Sequence, residues 1–319
     1  MQVVAIAIVC VSQRILRPAG SCVNRHMRKC RQFLPLLTAP AAGAILAFEM
    51  PYLSVEGLDI HYKERGRGFP VVLIHGYTGN LRNWILQVRA LAQTYRTISP
   101  DLRGHGLSVK PTQREDYSLE LFAADVYGLL EALAVPECYL VGHSMGGMVA
   151  QEFILRHPDM VRALVLVDTA ADLPQGIPWE ERARLLELAR TEGMEAVFDE
   201  MLRTQPLGSQ VVEENPELIA VWREQFLMTS LEGYLYCSQA IGSRRPLLDE
   251  LSQVRVPTLI ICGELDEPFL EPSQRMHQTI PDSELVIITG AAHTPTLEKP
   301  LEFNEVLLSF LARVDSQRR

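Results

Sequence analysis

The sequence has few of the features that mark disulfide-stabilised, nucleic-acid-binding or membrane-spanning proteins. Its six cysteines are too sparse for a disulfide framework, so we expect free thiols and a reducing compartment. Residues 50–319 carry 24 basic and 38 acidic side chains, and this acidic balance argues against a nucleic-acid or anionic-lipid surface. The apolar run Val3–Val11 has nine residues, which is too short to cross a bilayer. No internal repeat or low-complexity segment interrupts the chain.

The motifs of metal and cofactor sites are also missing. The chain contains no H-E-x-x-H, no C-x-x-C and no glycine loop of the kind that cradles phosphate. Cys22, His26 and Cys30 share a helical spacing, but no fourth ligand accompanies them, so we interpret that spacing as chance. We therefore expect neither a metal nor an organic cofactor.

Residues 1–49 differ from the rest because they are basic, with a net charge of +5. No positive charge precedes their apolar run, which disfavours a secretory signal. Three interpretations stay open: an upstream extension from a wrongly assigned start before Met50, an organellar targeting or anchoring segment, or an unknown role. We expect this segment to lie outside the fold, and the protein to be cytoplasmic unless the segment targets or anchors it.

From Met50 onward, short apolar segments alternate with amphipathic ones. Leu53–Val55 and Leu58–Tyr62 are typical of a hairpin, and continuous apolar runs then recur between helical patterns. The predicted strands after the hairpin are 71–74, 97–99, 139–142, 163–167, 258–262 and 285–288. This alternation predicts an α/β fold with a mostly parallel, doubly wound sheet and helices on both faces.

The alternation stops between residues 172 and 245, where no convincing strand occurs. Glu180–Arg190, Gly193–Leu202 and Leu218–Gln239 are predicted to be helices. An all-helical insertion in such a chain is best interpreted as a cap over the ligand-binding edge of the sheet. We therefore expect a core of residues 50–171 and 246–319 with a cap of residues 172–245.

A G-x-S-x-G pentapeptide places Ser144 between an apolar run and a helical pattern. This strand–turn–helix context is typical of a nucleophile elbow. Gly142 and Gly146 leave room for a sharp, strained turn. The backbone N–H of Met145, at the start of the helix, would then point at a developing oxyanion.

A nucleophilic serine needs a base, and the base needs a carboxylate to orient it. His293 follows the 285–288 strand in a loop of small residues, so we predict that it is the base. Asp266 follows the 258–262 strand, and we predict that it is the acid. The alternative acids are Glu264, Glu267 and Asp168.

Five ordered motifs now carry a resemblance to a known family. They are His75-Gly76, the 101–106 loop, the 142–147 elbow, Gly263-x-x-Asp266 and His293. From Met50 to about residue 314 the chain resembles the α/β-hydrolase fold superfamily, in the branch with a helical cap. That branch is similar to 3-oxoadipate enol-lactonases, small-ester esterases, cofactor-free haloperoxidases, C–C bond hydrolases and lyases of menaquinone synthesis.

The resemblance also implies roles near the elbow. The residue after His75-Gly76, which is Tyr77, would supply the second oxyanion N–H, and His75 would belong to the hydrogen-bond network of that loop. We expect His143 to be structural or pocket-lining and Trp84 either to line the pocket or to anchor its helix. In the loop after the 97–99 strand, Asp101, Arg103 and His105 are expected to brace one another. Whether one of them contacts the substrate stays open.

These inferences predict a serine hydrolase that cleaves a small carboxylic ester or lactone through an acyl-enzyme. A C–C bond hydrolase or lyase with the same triad stays open, as does a slow, ligand-trapping receptor of the same fold. The expected partner is a small-molecule substrate, with no nucleic acid and no membrane for the core. The sequence determines neither the substrate nor the oligomeric state.

Overall fold

A computed structural model describes residues 52–173, 179–204 and 216–317. All elements below belong to one compact unit, Met50–Arg319. The predictions about residues 1–49, including those about Cys22, His26 and Cys30, lie outside the described residues. No helix of the described ranges is both long enough and apolar enough to cross a membrane.

The described part of the chain contains one eight-stranded sheet, ordered β1-β2-β4-β3-β5-β6-β7-β8. β1 and β2 form an antiparallel hairpin, β2 joins β4 antiparallel, and the remaining pairs are parallel. The strands are β1 (Tyr52–Val55), β2 (Leu58–Arg65), β3 (Pro70–Ile74), β4 (Arg96–Pro100), β5 (Cys138–His143), β6 (Val161–Val167), β7 (Thr258–Gly263) and β8 (Ser283–Ile288).

Eleven α-helices occur in the described residues, and five of them lie between β6 and β7. The first three are α1 (Ile85–Leu91), α2 (Leu119–Ala132) and α3 (Met145–Arg156). The first four of those five are α4 (Trp179–Glu192), α5 (Met194–Thr204), α6 (Pro216–Leu227) and α7 (Leu231–Gly242), and the short α8 (Leu248–Leu251) follows them before β7. The last three are α9 (Glu267–Thr279), α10 (Pro295–Glu298) and α11 (Pro300–Ser316).

Apolar side chains cover both faces of the sheet. Because side chains alternate along a strand, Leu140 of β5 packs into one cluster with Phe122 and Phe153 of the helices. Its neighbour Tyr139 packs into a second cluster, on the other face, with Phe303 of α11. The prediction of a mostly parallel, doubly wound sheet with an inserted helical cap is confirmed.

The strand register brings the polar residues after β5, β6, β7 and β8 to one edge. His143 pairs with Val167, which pairs with Ile261, and Gly263 pairs with Ile288. The residues that follow these parallel strands therefore emerge side by side at their carboxyl ends. That edge is where open α/β sheets bind ligands.

The four helices α4–α7 share a small apolar core of their own, which includes Phe198, Phe226 and Tyr234. The prediction of one helix over Leu218–Gln239 is wrong, because α6 ends at Leu227 and α7 begins at Leu231. Ser230 interrupts the helix: it has extended backbone angles, and its hydroxyl caps α7 by accepting a hydrogen bond from the N–H of Gly233 at 3.0 Å.

A buried ion pair fastens the loop after β4 to α2. The guanidinium of Arg103 donates two hydrogen bonds to the Asp125 carboxylate, at 2.6 Å from Nε and 2.5 Å from Nη2. We predict that Arg103→Met lowers the free energy of unfolding by about 3–5 kcal/mol, because an uncompensated carboxylate stays buried. Urea denaturation measures this loss.

The matched control is Arg82→Met. Arg82 pairs with Glu224 at 2.7 Å, but both side chains are exposed to solvent. Its loss should be about 0–1 kcal/mol, as for other exposed pairs. Equal losses for the two variants would show that the Arg103 pair adds nothing through its burial.

Candidate active site

Ser144 occupies a strained turn between β5 and α3. Its φ is +53° and its ψ is −119°, a region that residues with a Cβ rarely adopt. Its N–H donates to the carbonyl of Val167 at 2.8 Å, and its own carbonyl accepts from the hydroxyl of Thr169 at 2.7 Å. These bonds to the end of β6 hold the strained conformation in place.

The two glycines of the motif are required by close backbone contacts. A Cβ on Gly142 would lie 2.3 Å from the carbonyl oxygen of Gly146. A Cβ on Gly146 would lie 2.3 Å from the carbonyl oxygen of Ile74. The motif therefore lets β3, β5 and α3 meet at the serine without side chains between them.

The structure brings Ser144, His293 and Asp266 together. The Nε2 atom of His293 lies 3.0 Å from Ser144 Oγ, and its Nδ1 atom lies 2.8 Å from Asp266 Oδ2. Glu264 points elsewhere, because its carboxylate accepts a hydrogen bond from the N–H of Gly290 at 2.8 Å. Of the other alternative acids, Glu267 is exposed at the start of α9 and Asp168 is buried near Asp266.

The electrostatics of the pair favour a charged acid and a basic imidazole. Burial alone would lower the pKa of His293, but the charge and hydrogen bond of Asp266 outweigh it and raise that pKa above 6.5. Burial alone would raise the pKa of Asp266, but His293 and Asp168 outweigh it and lower that pKa below 3.8. Asp266 is therefore ionised at neutral pH.

Two aromatic rings flank the imidazole of His293. The Phe269 ring lies 5.0 Å from it between centroids, and the His143 ring lies 5.1 Å from it. Burial lowers the pKa of His143 to about 3, so its ring is neutral and its Nε2–H donates to the carbonyl of His293 at 2.6 Å. Sequence analysis missed Phe269, since no motif links it to a histidine that follows another strand.

The loop after β3 passes beside Ser144. The carbonyl of Gly76 accepts from His75 Nδ1 at 2.8 Å and from the N–H of Gly79 at 3.1 Å. Because the peptide is trans, the N–H of Tyr77 points away from that carbonyl. Gly76 also faces the nucleophile, since a Cβ built on it would lie 3.1 Å from the Cβ of Ser144.

The N–H groups of Tyr77 and Met145 donate no hydrogen bond to any described residue. Backbone donors without a protein partner are free to bind a ligand atom. α3 begins at Met145, and its positive dipole end adds to the attraction for negative charge.

Two neutral histidines hold this loop against the loop after β4. His75 Nε2 accepts from the N–H of Leu102 at 3.0 Å, and His105 Nε2 accepts from the N–H of Thr78 at 3.3 Å. Burial lowers the pKa of His75, and it lowers the pKa of His105 to about 3. Both rings therefore keep a free lone pair for these bonds at neutral pH.

The expected bracing among Asp101, Arg103 and His105 is present in part. The His105 ring donates from Nδ1 to the carbonyl of Arg103 at 3.0 Å, but no hydrogen bond joins the three side chains to one another in the described residues. Asp101 instead accepts from His61 Nδ1 at 2.7 Å, and Arg103 binds Asp125 as described above. Sequence analysis did not identify these further partners, because they come from β2 and α2, far away in the chain.

Trp84 lies in the apolar cluster on the α11 side of the sheet and is 1% exposed. Its ring centroid lies 6.4 Å from that of Phe303. Of the two interpretations of Trp84, the structure agrees with the anchoring of its helix.

The helices between β6 and β7 contact the loop that carries Tyr77. The Tyr77 hydroxyl donates to the carbonyl of Tyr234 in α7 at 2.6 Å, and the two rings stack at 5.3 Å. The guanidinium carbon of Arg182 in α4 lies 5.6 Å from the Tyr77 ring, and Arg182 Nε donates to Ser238 Oγ at 2.7 Å. Sequence analysis missed these contacts, because no residue pattern connects the loop with the cap.

One cluster in the described residues has the composition of a metal site. Single ligand atoms of Asp168, Cys262 and Asp266 lie within 4.8 Å of one another, and all three residues are buried. Burial raises the pKa of Asp168 and of the Cys262 thiol, and Asp266 is already bound to His293.

The fold and the site together define an α/β-hydrolase, with a serine on a strained turn after the fifth strand. Residues 70–300 match the family model described as alpha/beta hydrolase fold. The chain therefore belongs to this family, and it is a hydrolase enzyme.

The individual relatives share about 30% of their residues with this chain. The chain is 30% identical to a putative 2-succinyl-6-hydroxy-2,4-cyclohexadiene-1-carboxylate synthase of Bacillus subtilis, over 76% of this chain and 90% of that protein. It is 30% identical to the enol-lactonase of Burkholderia xenovorans LB400, with a TM-score of 0.75 over 82% of this chain and 100% of that one. It is also 30% identical to a thermophilic esterase of Thermogutta terrifontis, with a TM-score of 0.74 over 83% of this chain and 98% of that one.

Proposed function

We propose that this enzyme is a serine hydrolase that cleaves a small carboxylic ester or lactone through an acyl-enzyme. The observation that carries the proposal is the hydrogen-bond chain from Ser144 Oγ through His293 to Asp266, with distances of 3.0 and 2.8 Å. A serine hydroxyl becomes an effective nucleophile when a neighbouring imidazole accepts its proton.

In the first half-reaction, His293 Nε2 takes the proton of Ser144 Oγ as that oxygen attacks the carbonyl carbon. The N–H groups of Met145 and Tyr77 donate to the oxyanion of the tetrahedral intermediate. Asp266 stabilises the imidazolium that has formed. The intermediate then collapses, and His293 gives its proton to the departing alkoxide.

In the second half-reaction, water replaces the alcohol. His293 takes a proton from the water as its oxygen attacks the acyl carbon bound to Ser144. The second tetrahedral intermediate uses the same two N–H donors. Its collapse breaks the acyl–oxygen bond, and the proton returns from His293 to Ser144.

The proposed substrate class comes from the relatives and from the cap. The solved relatives include an enol-lactonase and an esterase, and both names describe hydrolysis of a carboxylic ester bond. We assign residues 172–245 as the cap, whose helices α4 and α7 contact Tyr77. A lid at this position favours a substrate small enough to fit beneath it.

A lyase is the second candidate, supported by the likeness to the putative synthase of Bacillus subtilis. In that reaction His293 and Ser144 would move a proton without forming an acyl-enzyme. The two candidates differ in whether Ser144 becomes acylated during turnover.

The test combines turnover with identification of the reacting serine. Purified protein is assayed on p-nitrophenyl acetate and butyrate and on a panel of lactones, and it is labelled with a fluorophosphonate. We expect steady multiple turnover and a single labelled peptide that contains Ser144. Labelling at another serine contradicts the proposal, and proton-transfer activity without ester cleavage favours the lyase.

The raised pKa of His293 predicts a pH dependence. The base must be neutral to accept the serine proton, so kcat/KM falls as the pH drops below that pKa. We expect the fall of kcat/KM at low pH, the acidic limb of the pH–rate profile, to have its midpoint above 6.5, the ordinary value for histidine. A pH–rate profile on a non-ionising ester measures it, and a midpoint below 6.5 would contradict the prediction.

A further inference from the structure

Asp168 is a buried carboxyl group that the proposed reaction does not use. It directly follows β6, it is 0% exposed, and its φ is +43°. Its N–H donates to the carbonyl of Ile261 at 2.9 Å, and its Oδ1 accepts from the N–H of Gly263 at 2.8 Å. A strained, fully buried acid is costly for a protein, so its position beside the triad calls for a reason.

The second carboxyl oxygen of Asp168 lacks a hydrogen-bond partner. Oδ2 is buried, and no described residue donates a hydrogen bond to it. The carboxyl group of Asp266 is its neighbour, with ligand atoms of Asp168, Asp266 and Cys262 within 4.8 Å of one another. Oδ2 gains a partner when it carries a proton and donates it to Asp266.

Two carboxylates this close repel each other, so the pKa of one of them is raised. Asp266 has the imidazole of His293 as a partner for its charge, whereas Asp168 has only neutral partners, the N–H of Gly263 and the thiol of Cys262. Burial and the negative charge of Asp266 raise the pKa of Asp168, whereas the charge and hydrogen bond of His293 outweigh burial and lower the pKa of Asp266. The proton therefore belongs to Asp168.

We propose that Asp168 keeps its proton at neutral pH and donates it from Oδ2 to the carboxylate of Asp266. This inference rests on the proposed function, in which Asp266 orients His293. Asp168 is then a positioning residue: it holds the acid toward the base and spreads part of its negative charge. The strain at Asp168 is explained, since its two oxygens link β7 to the triad.

Other titratable groups around Asp266 and His293 enter the same balance. They are His143 at the end of β5, Cys262 in β7, and Glu298 in α10, whose carboxylate accepts from the N–H groups of Ala292 and Thr294 at 2.7 and 2.9 Å. His75 lies farther along the same edge and interacts with His143. None of these groups is changed in the experiment below.

Asp168→Asn and Asp168→Ala separate the proposal from a structural role. An asparagine amide still donates to Asp266 and still accepts from Gly263, so kcat/KM should stay within about threefold of the original enzyme. Alanine removes the donor, and kcat/KM should fall about 10- to 100-fold, as expected for a hydrogen bond to a charged group. The acidic limb should also rise by about one pH unit in the alanine variant, because a less stabilised Asp266 holds the imidazolium more firmly.

A different protonation state gives a different pattern. If Asp168 were ionised, both variants would remove a negative charge, and the acidic limb would move to lower pH in both. That result, or an alanine variant with an unshifted limb, overturns the proposal. Asp125→Asn is the matched control: it changes another buried carboxyl group, and it should reduce stability without moving the limb.

An NMR titration of the His293 ring in the same variants keeps this test independent of ester hydrolysis. The ring should titrate at the original pH in the asparagine variant and at higher pH in the alanine variant. If esters are not substrates but the titration follows this pattern, the proposed function fails and the hydrogen bond stands. If esters are cleaved but the pKa of the His293 ring falls in both variants, the inference alone fails.

Discussion

Ser144→Ala is expected to lower kcat for p-nitrophenyl ester hydrolysis by about 10⁵- to 10⁶-fold, the size of effect seen when a triad nucleophile is removed. The variant keeps the two N–H donors and the neutral imidazole, but it has no oxygen to form the acyl-enzyme. The remaining activity should resemble that of a site that binds the ester and stabilises its oxyanion. Initial rates and fluorophosphonate labelling measure the loss.

The fold should survive this change, because the backbone of Ser144 keeps its hydrogen bonds to β6 and alanine lacks only the hydroxyl. Ser252→Ala serves as the matched control: Ser252 is exposed, and its hydroxyl donates to the carbonyl of Asp249. Full activity in the control and loss in Ser144→Ala would support the nucleophile. Activity that persists in Ser144→Ala would remove the basis of the proposed reaction.

Asp266→Asn is expected to lower kcat by about 10⁴-fold. The carboxylate accepts a hydrogen bond from Nδ1 of His293, so the lone pair of Nε2 faces Ser144. An amide nitrogen in its place would donate to Nδ1, which puts the proton on Nε2 and leaves no acceptor for the serine proton. The variant should keep its KM, because the acid does not touch the substrate.

Glu264→Gln is the matched control for Asp266→Asn. Glu264 is exposed two residues earlier in the chain, and its carboxylate accepts from the N–H of Gly290. It was also an alternative acid from the sequence, so the pair of variants decides between the two carboxylates directly. A large loss in Glu264→Gln with little change in Asp266→Asn would reverse the assignment.

The sequence alone predicted the sheet and the three residues that meet at its edge. Short apolar runs and amphipathic helices have distinct periods, and each can be recognised from nearest neighbours in the chain. Parallel strands end at one edge, so the residues after the strands that contain Leu140, Ile260 and Ile287 were expected to come close. The structure places Ser144, Asp266 and His293 within hydrogen-bonding distance there.

What the sequence missed depends on contacts between distant parts of the chain. Arg103 was expected to pair only within its own loop, but its carboxylate partner, Asp125, lies in α2. The helix over Leu218–Gln239 is broken where the N–H of Ser230 donates to the carbonyl of Gly104 at 2.9 Å. Neither partner can be identified from local spacing, because many carboxylates and carbonyls in the chain would serve equally well.

By itself, the sequence determined the fold class, the order of the strands along the chain and the elbow at Ser144, because these follow from local periodicity and from the steric needs of glycine. The tertiary structure decided which acid faces His293, how the loop at Tyr77 contacts α7, and that Asp168 lies buried beside Asp266. Distances between side chains on different strands depend on register and packing. Those are properties of the folded chain as a whole.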